Sequence, residues 1–281
     1  MNEPKKHHFL PQSYQKLFWN ENRRKIAELD LATGSVDWFN PKSRCWELHL
    51  YTMENEHEGV SKTHLENPFL SEIDGDFPRT IQAINFGNPR SVNREAIAFY
   101  VAFLRFRNPW ALDLLEIISS ENMQRILFDK MRSGKIKIPS GYFMGPENFE
   151  CAMKNIGRGR LSPGKDALLS LMVMMAANFS NELLDLKWRL FHSATGKFIT
   201  SDKPVSNVKI EYSRGGLEYF LTPLSAHWML QFGGGKNSEI TFETAEDAEI
   251  EEGNIAVASC AYNKILGASK EQLEKIHIQL Q

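Results

Sequence analysis

Two adjacent histidines, His7 and His8, stand near the start of the chain, directly before an apolar Phe-Leu-Pro stretch. Histidine suits general acid–base chemistry because its ordinary pKa of about 6.5 lies near neutral pH. Neighbouring residues point in different directions on a strand or a helix, so we do not expect both rings to bind one metal ion. We expect one ring to face a site and the other to support it, with His8 favoured as the inward ring because it is nearer the apolar stretch. The alternative is two surface histidines in a frayed terminus.

Four carboxylates follow in the segment HLENPFLSEIDGDF, and two of them, Glu66 and Glu72, are candidates for the same site. The Asn-Pro pair after Glu66 predicts that a helix begins there, which leaves Glu66 just outside it. Glu72 lies three residues after Phe69, so the apolar helix face would draw it inward. Carboxylates combined with histidine can bind a divalent metal ion or share proton transfer, and the candidate metal ligands are Glu66, Glu72 and Asp202. The alternative is a solvated acidic helix face.

Arg107 ends a helical pattern with an aromatic stripe. Ala96, Tyr100, Phe103 and Arg107 are spaced by four, three and four residues, so they share one helical face. A guanidinium on that face should be buried, and a buried guanidinium requires a carboxylate or an anionic substrate group beside it. Arg107 is therefore a candidate for catalysis and for substrate binding. The alternative is a structural ion pair at the helix end.

The segment KFITSDKPV delivers Ser201 and Asp202 from a strand into a turn that Pro204 stiffens. Polar residues often form sites where a chain leaves the core in a loop. Asp202 is a catalytic candidate that would orient a histidine, bind metal or act as a base. Ser201 and Tyr14, a residue of the opening segment, are assigned to substrate binding together with Arg107. The alternative for Asp202 is a turn in which its carboxylate caps its own backbone.

The order of the elements predicts an α+β fold, in which a helical middle region packs with a mostly antiparallel sheet formed by N- and C-terminal strands. We predict one domain over residues 1–281, with strands in 1–60, helices in 61–186, and a sheet with a terminal helix in 187–281.

Several boundaries follow from local signals. Turn residues predict hairpins around 32–34 and 194–196. Asn67 is the expected cap of the first long helix, and Pro78 is expected to break or kink it. The apolar run 167–179 predicts a helix buried on most sides.

Composition narrows the functional classes. The 281 residues carry 33 Lys and Arg against 35 Asp and Glu, so no overall basic field indicates nucleic-acid binding. Three widely spaced cysteines predict no disulfide framework and a cytoplasmic location. The first residues lack the apolar core of a signal peptide, and the apolar run is too short to cross a bilayer, so no membrane partner is expected. Two glycine-rich segments, Gly157–Arg160 and Gly233–Lys236, indicate loops.

These motifs together resemble the bacterial domain-of-unknown-function family 4238. HHFLPQSYQKLF is similar to its His-His-aromatic-x-Pro-x-x-Tyr opening, LENPFLSEID to its Leu-Glu segment, FLRFRNP to its helix ending in Arg before Pro, and FITSDKPV to its Phe-x-Thr-Ser-Asp-x-Pro motif. Phe9 replaces the commoner tyrosine, and Asn108 separates Arg107 from Pro109. The resemblance runs over nearly the whole chain and implies no activity, but it implies a shared pocket for the signature residues. These are His7, His8, Glu66, Glu72, Arg107 and Asp202.

The mixture of histidine, carboxylate and arginine predicts a hydrolase that acts on a phosphoester, with nuclease as the narrower form. A histidine would be the general base, Arg107 would bind the anionic group, and the carboxylates would orient it or bind a divalent metal ion. Nucleic acid or a nucleotide is then the expected partner. One alternative is a non-catalytic module that binds a nucleotide or another anion. The other is a buried polar network that holds the N-terminal segment against the C-terminal sheet.

Overall fold

The computed structural model describes residues 5–56, 60–132, 163–210, 217–236 and 239–281. Short strands open the chain: β1 (Lys6–His8), β2 (Ile26–Asp30), β3 (Val36–Phe39) and β4 (Trp46–Leu48). β2 and β3 form the hairpin predicted around 32–34, with Gly34 in the left-handed region at φ +70. β1 pairs with β4 and sets His7 opposite Glu47. Helix α1 (Gln12–Gln15) follows β1 and buries Tyr14.

The middle region is helical, as predicted. It contains a π-helical turn (Leu65–Leu70), α2 (Ser71–Gln82), α3 (Arg94–Phe106), α4 (Pro109–Arg132) and α5 (Lys165–Asp185). Asn67 does not cap α2, because α2 begins only at Ser71, whereas Asn67 lies inside the preceding π-helical turn. α2 also continues through Pro78, which therefore does not break it, and the burial of Phe77 and Ile81 offsets one missing N–H bond.

Helix α5 packs against α3 and buries one face, which includes Leu169, Met172 and Ala176. The prediction of burial on most sides is wrong, because Met174 on another face is 53% exposed. α5 is long and apolar enough to cross a membrane by length and composition, with a mean hydropathy of 1.4. Length and composition alone do not establish a membrane span, because the core helix of a soluble protein can have both properties.

Five C-terminal strands form one sheet, namely β5 (Leu186–His192), β7 (Ser206–Ile210), β8 (Leu217–Pro223), β9 (Trp228–Lys236) and β10 (Ile240–Thr244). Their order in the sheet is β10–β5–β9–β8–β7. Neighbours are antiparallel except β5 and β10, which are parallel. The segment Gly233–Lys236, predicted as a loop, is the end of β9.

A second sheet, in the order β3–β2–β11–β6, joins the two ends of the chain through β6 (Thr200–Ser201) and β11 (Lys264–Gly267). The hairpin predicted around 194–196 is wrong, because the chain leaves β5 and crosses to this sheet. Ile199 is wholly buried there beside Ile265, and β5 pairs with β9 instead. The prediction has a single terminal helix. In the structure this part of the chain forms two helices, α6 (Asp247–Ser259) and α7 (Lys270–Leu280), which are separated by β11.

The fold is α+β, as predicted. One hydrophobic core takes residues from all three predicted regions, for example Phe9, Val101 and Phe232. The single domain stays a prediction. Cys45 and Cys260 are unpaired among the described cysteines, whereas Cys151 and the loop at 157–160 lie outside the described residues.

Candidate functional site

His7 is the more deeply buried imidazole of the opening pair. Its ring stacks on Tyr51 at 5.7 Å, and its Nδ1 accepts the Tyr51 N–H at 2.9 Å, which places the proton of a neutral ring on Nε2. Burial lowers the pKa of the half-buried His8, and the charges of Arg107 and Lys6 lower it further. The sequence favours His8 as the inward ring, but the pairing of β1 with β4 turns His7 inward.

Arg107 is the centre of a buried ionic network. Its side chain is 1% exposed at the end of α3. Its two terminal nitrogens donate to the two carboxylate oxygens of Asp74 at 2.7 and 3.1 Å, and one of them also donates to the His8 carbonyl at 2.9 Å. The Tyr51 hydroxyl donates to the Arg107 carbonyl, and the Tyr51 ring lies 5.6 Å from the guanidinium carbon. Asp74 is therefore the carboxylate partner that the buried guanidinium requires.

Glu66 lies within the field of this ion pair. In the described part of the chain, its Oε2 atom is buried and has no hydrogen-bond partner. Burial raises the pKa of Glu66 to about 7, against the opposing charge of Arg107 and with the added repulsion of Asp74. Near neutral pH the carboxyl group therefore populates both protonation states, which is the property of a proton-transfer group. It stands in the π-helical turn, directly before the kink at the extended Asn67.

Asp202 holds a backbone turn. Its carboxylate accepts three N–H groups at 2.8 to 3.1 Å, those of Tyr262, Asn263 and Lys264. The neighbouring Ser201 is wholly buried, and its hydroxyl accepts the Lys203 N–H at 3.2 Å. The alternative in which Asp202 caps its own backbone is wrong, because the N–H groups belong to the two residues before β11 and to its first residue.

Tyr14 connects α1 with both sheets. It is wholly buried, and its hydroxyl bonds to the Thr200 hydroxyl at 2.9 Å on β6 and donates to the Pro223 carbonyl at 2.6 Å on β8. The residues assigned to substrate binding from the sequence, Tyr14, Ser201 and Arg107, therefore have almost no exposed surface.

The predicted metal ligands are not assembled. Glu72 is exposed on α2, and Asp202 is committed to its three N–H groups. Across residues 5–56, 60–132, 163–210, 217–236 and 239–281, no three His, Cys, Asp or Glu side chains are placed to hold a metal ion. The structure groups His7, His8, Glu66 and Arg107 around Tyr51 and Asp74, two residues that are not among the candidates predicted from the sequence.

An open cavity of about 340 Å³ lies where two signature motifs end. FLRFRNP contributes Arg105 and Asn108, and TSDKPV contributes Lys203. The guanidinium carbon of Arg105 lies 4.9 Å from the Phe179 ring, and the Lys203 ammonium lies 4.9 Å from the Tyr262 ring. The remaining lining is mostly apolar and comes mainly from α3 and α4. Among the described lining residues, both charged side chains are cations.

A family model matches residues 6–271 of the 281-residue chain, and its description is "Protein of unknown function (DUF4238)". Comparison with curated proteins and with solved structures gives no match. The matched range contains the ionic network, Asp202 and both motifs that reach the cavity.

Proposed function

The chain belongs to this family, and on that premise we propose that it binds a nucleotide-like anion in the cavity between α3, α4 and the β6–β7 connection. The observation that carries the proposal is the pair of cations, Arg105 and Lys203, in an otherwise mostly apolar lining. Cations suit a phosphate, and a mostly apolar wall suits a base. The volume of about 340 Å³ lies in the range of small-molecule sites.

Binding is favoured over phosphoester hydrolysis because three of the residues assigned to catalysis are already occupied. Arg107 binds both oxygens of Asp74, Asp202 accepts three backbone N–H groups, and His7 accepts the Tyr51 N–H. These bonds fix the end of α3 and the end of β6. The two cavity cations lie on these same segments, so the buried network would serve to position them.

The test is calorimetric titration with AMP, with adenosine as the uncharged probe of the same body. We expect AMP to bind more tightly than adenosine, and Arg105→Gln or Lys203→Gln to weaken AMP binding about tenfold each, because a charge-assisted hydrogen bond contributes about 1.5–3 kcal/mol. Arg79→Gln is the matched control, since Arg79 is 81% exposed on α2. Equal affinities for AMP and adenosine, or full AMP binding by both cavity variants, would contradict the proposal.

A second candidate is the phosphoester hydrolase, and Glu66 is the observation that favours it. A carboxyl group with a pKa of about 7 and a buried free oxygen is poised for general acid–base catalysis. The assay is turnover of bis-p-nitrophenyl phosphate and of single-stranded oligonucleotides. Glu66→Gln should lower kcat about 10²–10⁴-fold, whereas Glu72→Gln, an exposed carboxylate on α2, should leave it unchanged. Absence of turnover in the wild-type protein, or full turnover in Glu66→Gln, would exclude this candidate.

A further inference from the structure

We propose that a second cavity, between the five-stranded sheet and α6, binds a small organic cation with an apolar body. This cavity has a volume of about 400 Å³, compared with about 340 Å³ for the cavity of Arg105 and Lys203. The two cavities share no lining residue. The proposal is therefore independent of the nucleotide site.

The floor of this cavity follows from strand alternation. Successive side chains on a strand point to opposite faces, so Trp188 and Leu190 of β5 join the helical core while Arg189 and Phe191 face α6. Arg189 stands opposite Gln231 of β9, and Phe191 stands opposite Met229. The other floor residues on β7 and β8 are Val208, Tyr219 and Leu221.

The roof is one face of α6. Glu249, Glu252, Gly253 and Ala256 line the cavity at relative positions 0, 3, 4 and 7, which share a helical face. Glycine within a helix is less stable than alanine. A Cβ atom at Gly253 would lie 3.6 Å from the Met229 Cε, an ordinary contact, so packing does not require glycine there. Because Gly253 has no side chain, α6 projects none into the cavity at this point.

The charges of the cavity favour a cation. Arg189 is the basic residue of the described lining, and two of its nitrogens already bind the Glu243 carboxylate at 2.9 and 2.7 Å. Glu249 and Glu252 add two exposed carboxylates at the mouth. The Tyr219 ring below them can stabilise a cation through its π face, whereas the Phe191 ring already lies 5.0 Å from the Arg189 guanidinium carbon. An acidic mouth over an aromatic floor fits an ammonium group on an aryl or alkyl body.

The experiment uses three probes with one body: 3-phenylpropylamine, 3-phenylpropanol and 3-phenylpropionate. In calorimetric titrations of the full chain we expect the amine to bind most tightly and the carboxylate most weakly. Glu252→Gln should weaken amine binding about twofold to fivefold, as expected for one exposed charge pair, and should leave alcohol binding unchanged. Carboxylate binding as tight as amine binding, or no binding of any probe, would overturn the proposal.

A steric variant locates the site. Gly253→Leu fills the cavity and should weaken amine binding about tenfold or more, whereas Gly253→Ala, the matched control, should bind like the wild-type protein. The methyl NMR signal of Met229, assigned by its loss in Met229→Leu, should shift when the amine is added to the wild-type protein. This readout remains decisive if Gly253→Leu does not fold, and an unchanged signal would place the amine elsewhere. Arg105→Gln should not alter amine binding, so the two cavities are tested separately.

Discussion

Replacing Glu66 by glutamine should remove a pH-dependent loss of stability. Burial raises the pKa of Glu66 from its ordinary value of 4.5 to about 7. The folded chain then keeps this proton at pH values where the unfolded chain has lost it, so the free energy of unfolding falls as the pH rises from 4.5 through about 7. Each pKa unit corresponds to about 1.36 kcal/mol, which gives an upper limit of about 3.4 kcal/mol. Because the side chain keeps some solvent contact, we expect about 1–2 kcal/mol.

The assay is urea unfolding of the wild-type protein and Glu66→Gln at about pH 5 and pH 8, on either side of the folded pKa. Burial also raises the pKa of Asp74, but this residue is present in both proteins, and the comparison largely removes its contribution. We take the free energy of unfolding of the variant minus that of the wild-type protein. This difference should be about 1–2 kcal/mol larger at about pH 8 than at about pH 5. If the difference between the two proteins is the same at both pH values, Glu66 ionises like an exposed glutamate and the reasoning fails.

Three further substitutions test the buried network by urea unfolding. Asp74→Ala leaves Arg107 buried without its carboxylate and should lower the free energy of unfolding by about 3–5 kcal/mol. Asp202→Ala removes the acceptor of three backbone N–H groups and should cost about 2–4 kcal/mol. Tyr14→Phe keeps the ring but removes two hydrogen bonds of its hydroxyl, at a cost of about 1–2 kcal/mol.

Asp76→Ala is the common control for these three variants. Asp76 lies on α2 like Asp74, but its side chain is 74% exposed and its ion pair with Arg79 is also exposed. It should change the free energy of unfolding by less than about 0.5 kcal/mol. If the three network variants were as stable as this control, the signature residues would not hold the fold together.

Helical periodicity is enough to predict α3 and the burial of Arg107, and the expectation of a carboxylate beside it is met by Asp74, although no particular carboxylate was assigned from the sequence. The same periodicity identifies the correct carboxylate. Leu70, Asp74, Phe77 and Ile81 are spaced by four, three and four residues, as on the face of α3 that carries Arg107. Glu72 does not fit this spacing. Glu72 was predicted to turn inward because it lies three residues after Phe69 in a helix that was expected to begin at Asn67. The π-helical turn comes first, however, and α2 begins only at Ser71.

The sheet connections could not be predicted from local signals. The turn around 194–196 exists, with Gly196 at φ +65, but a turn does not determine which strand follows it. Ile199 becomes buried beside Ile265, which comes from the last part of the chain. The N–H groups that bind Asp202 come from the same distant segment, so its cap could be expected from the residue type but its donors could not.

Arg107 and Asp202 are called anchors here because their charged groups bind buried partners. Their near neighbours in sequence, Arg105 and Lys203, line the cavity. Arg105 and Arg107 are two residues apart on α3, so they point about 200° apart around the helix axis. Arg107 therefore faces Asp74 while Arg105 lines the cavity. Directly after β6, Asp202 faces its N–H groups while the next residue, Lys203, lines the cavity. Because each cation is tied to an anchor through one or two residues of backbone, weakening an anchor should disturb the cavity, whereas Arg105→Gln and Lys203→Gln should impair anion binding and leave the buried network intact.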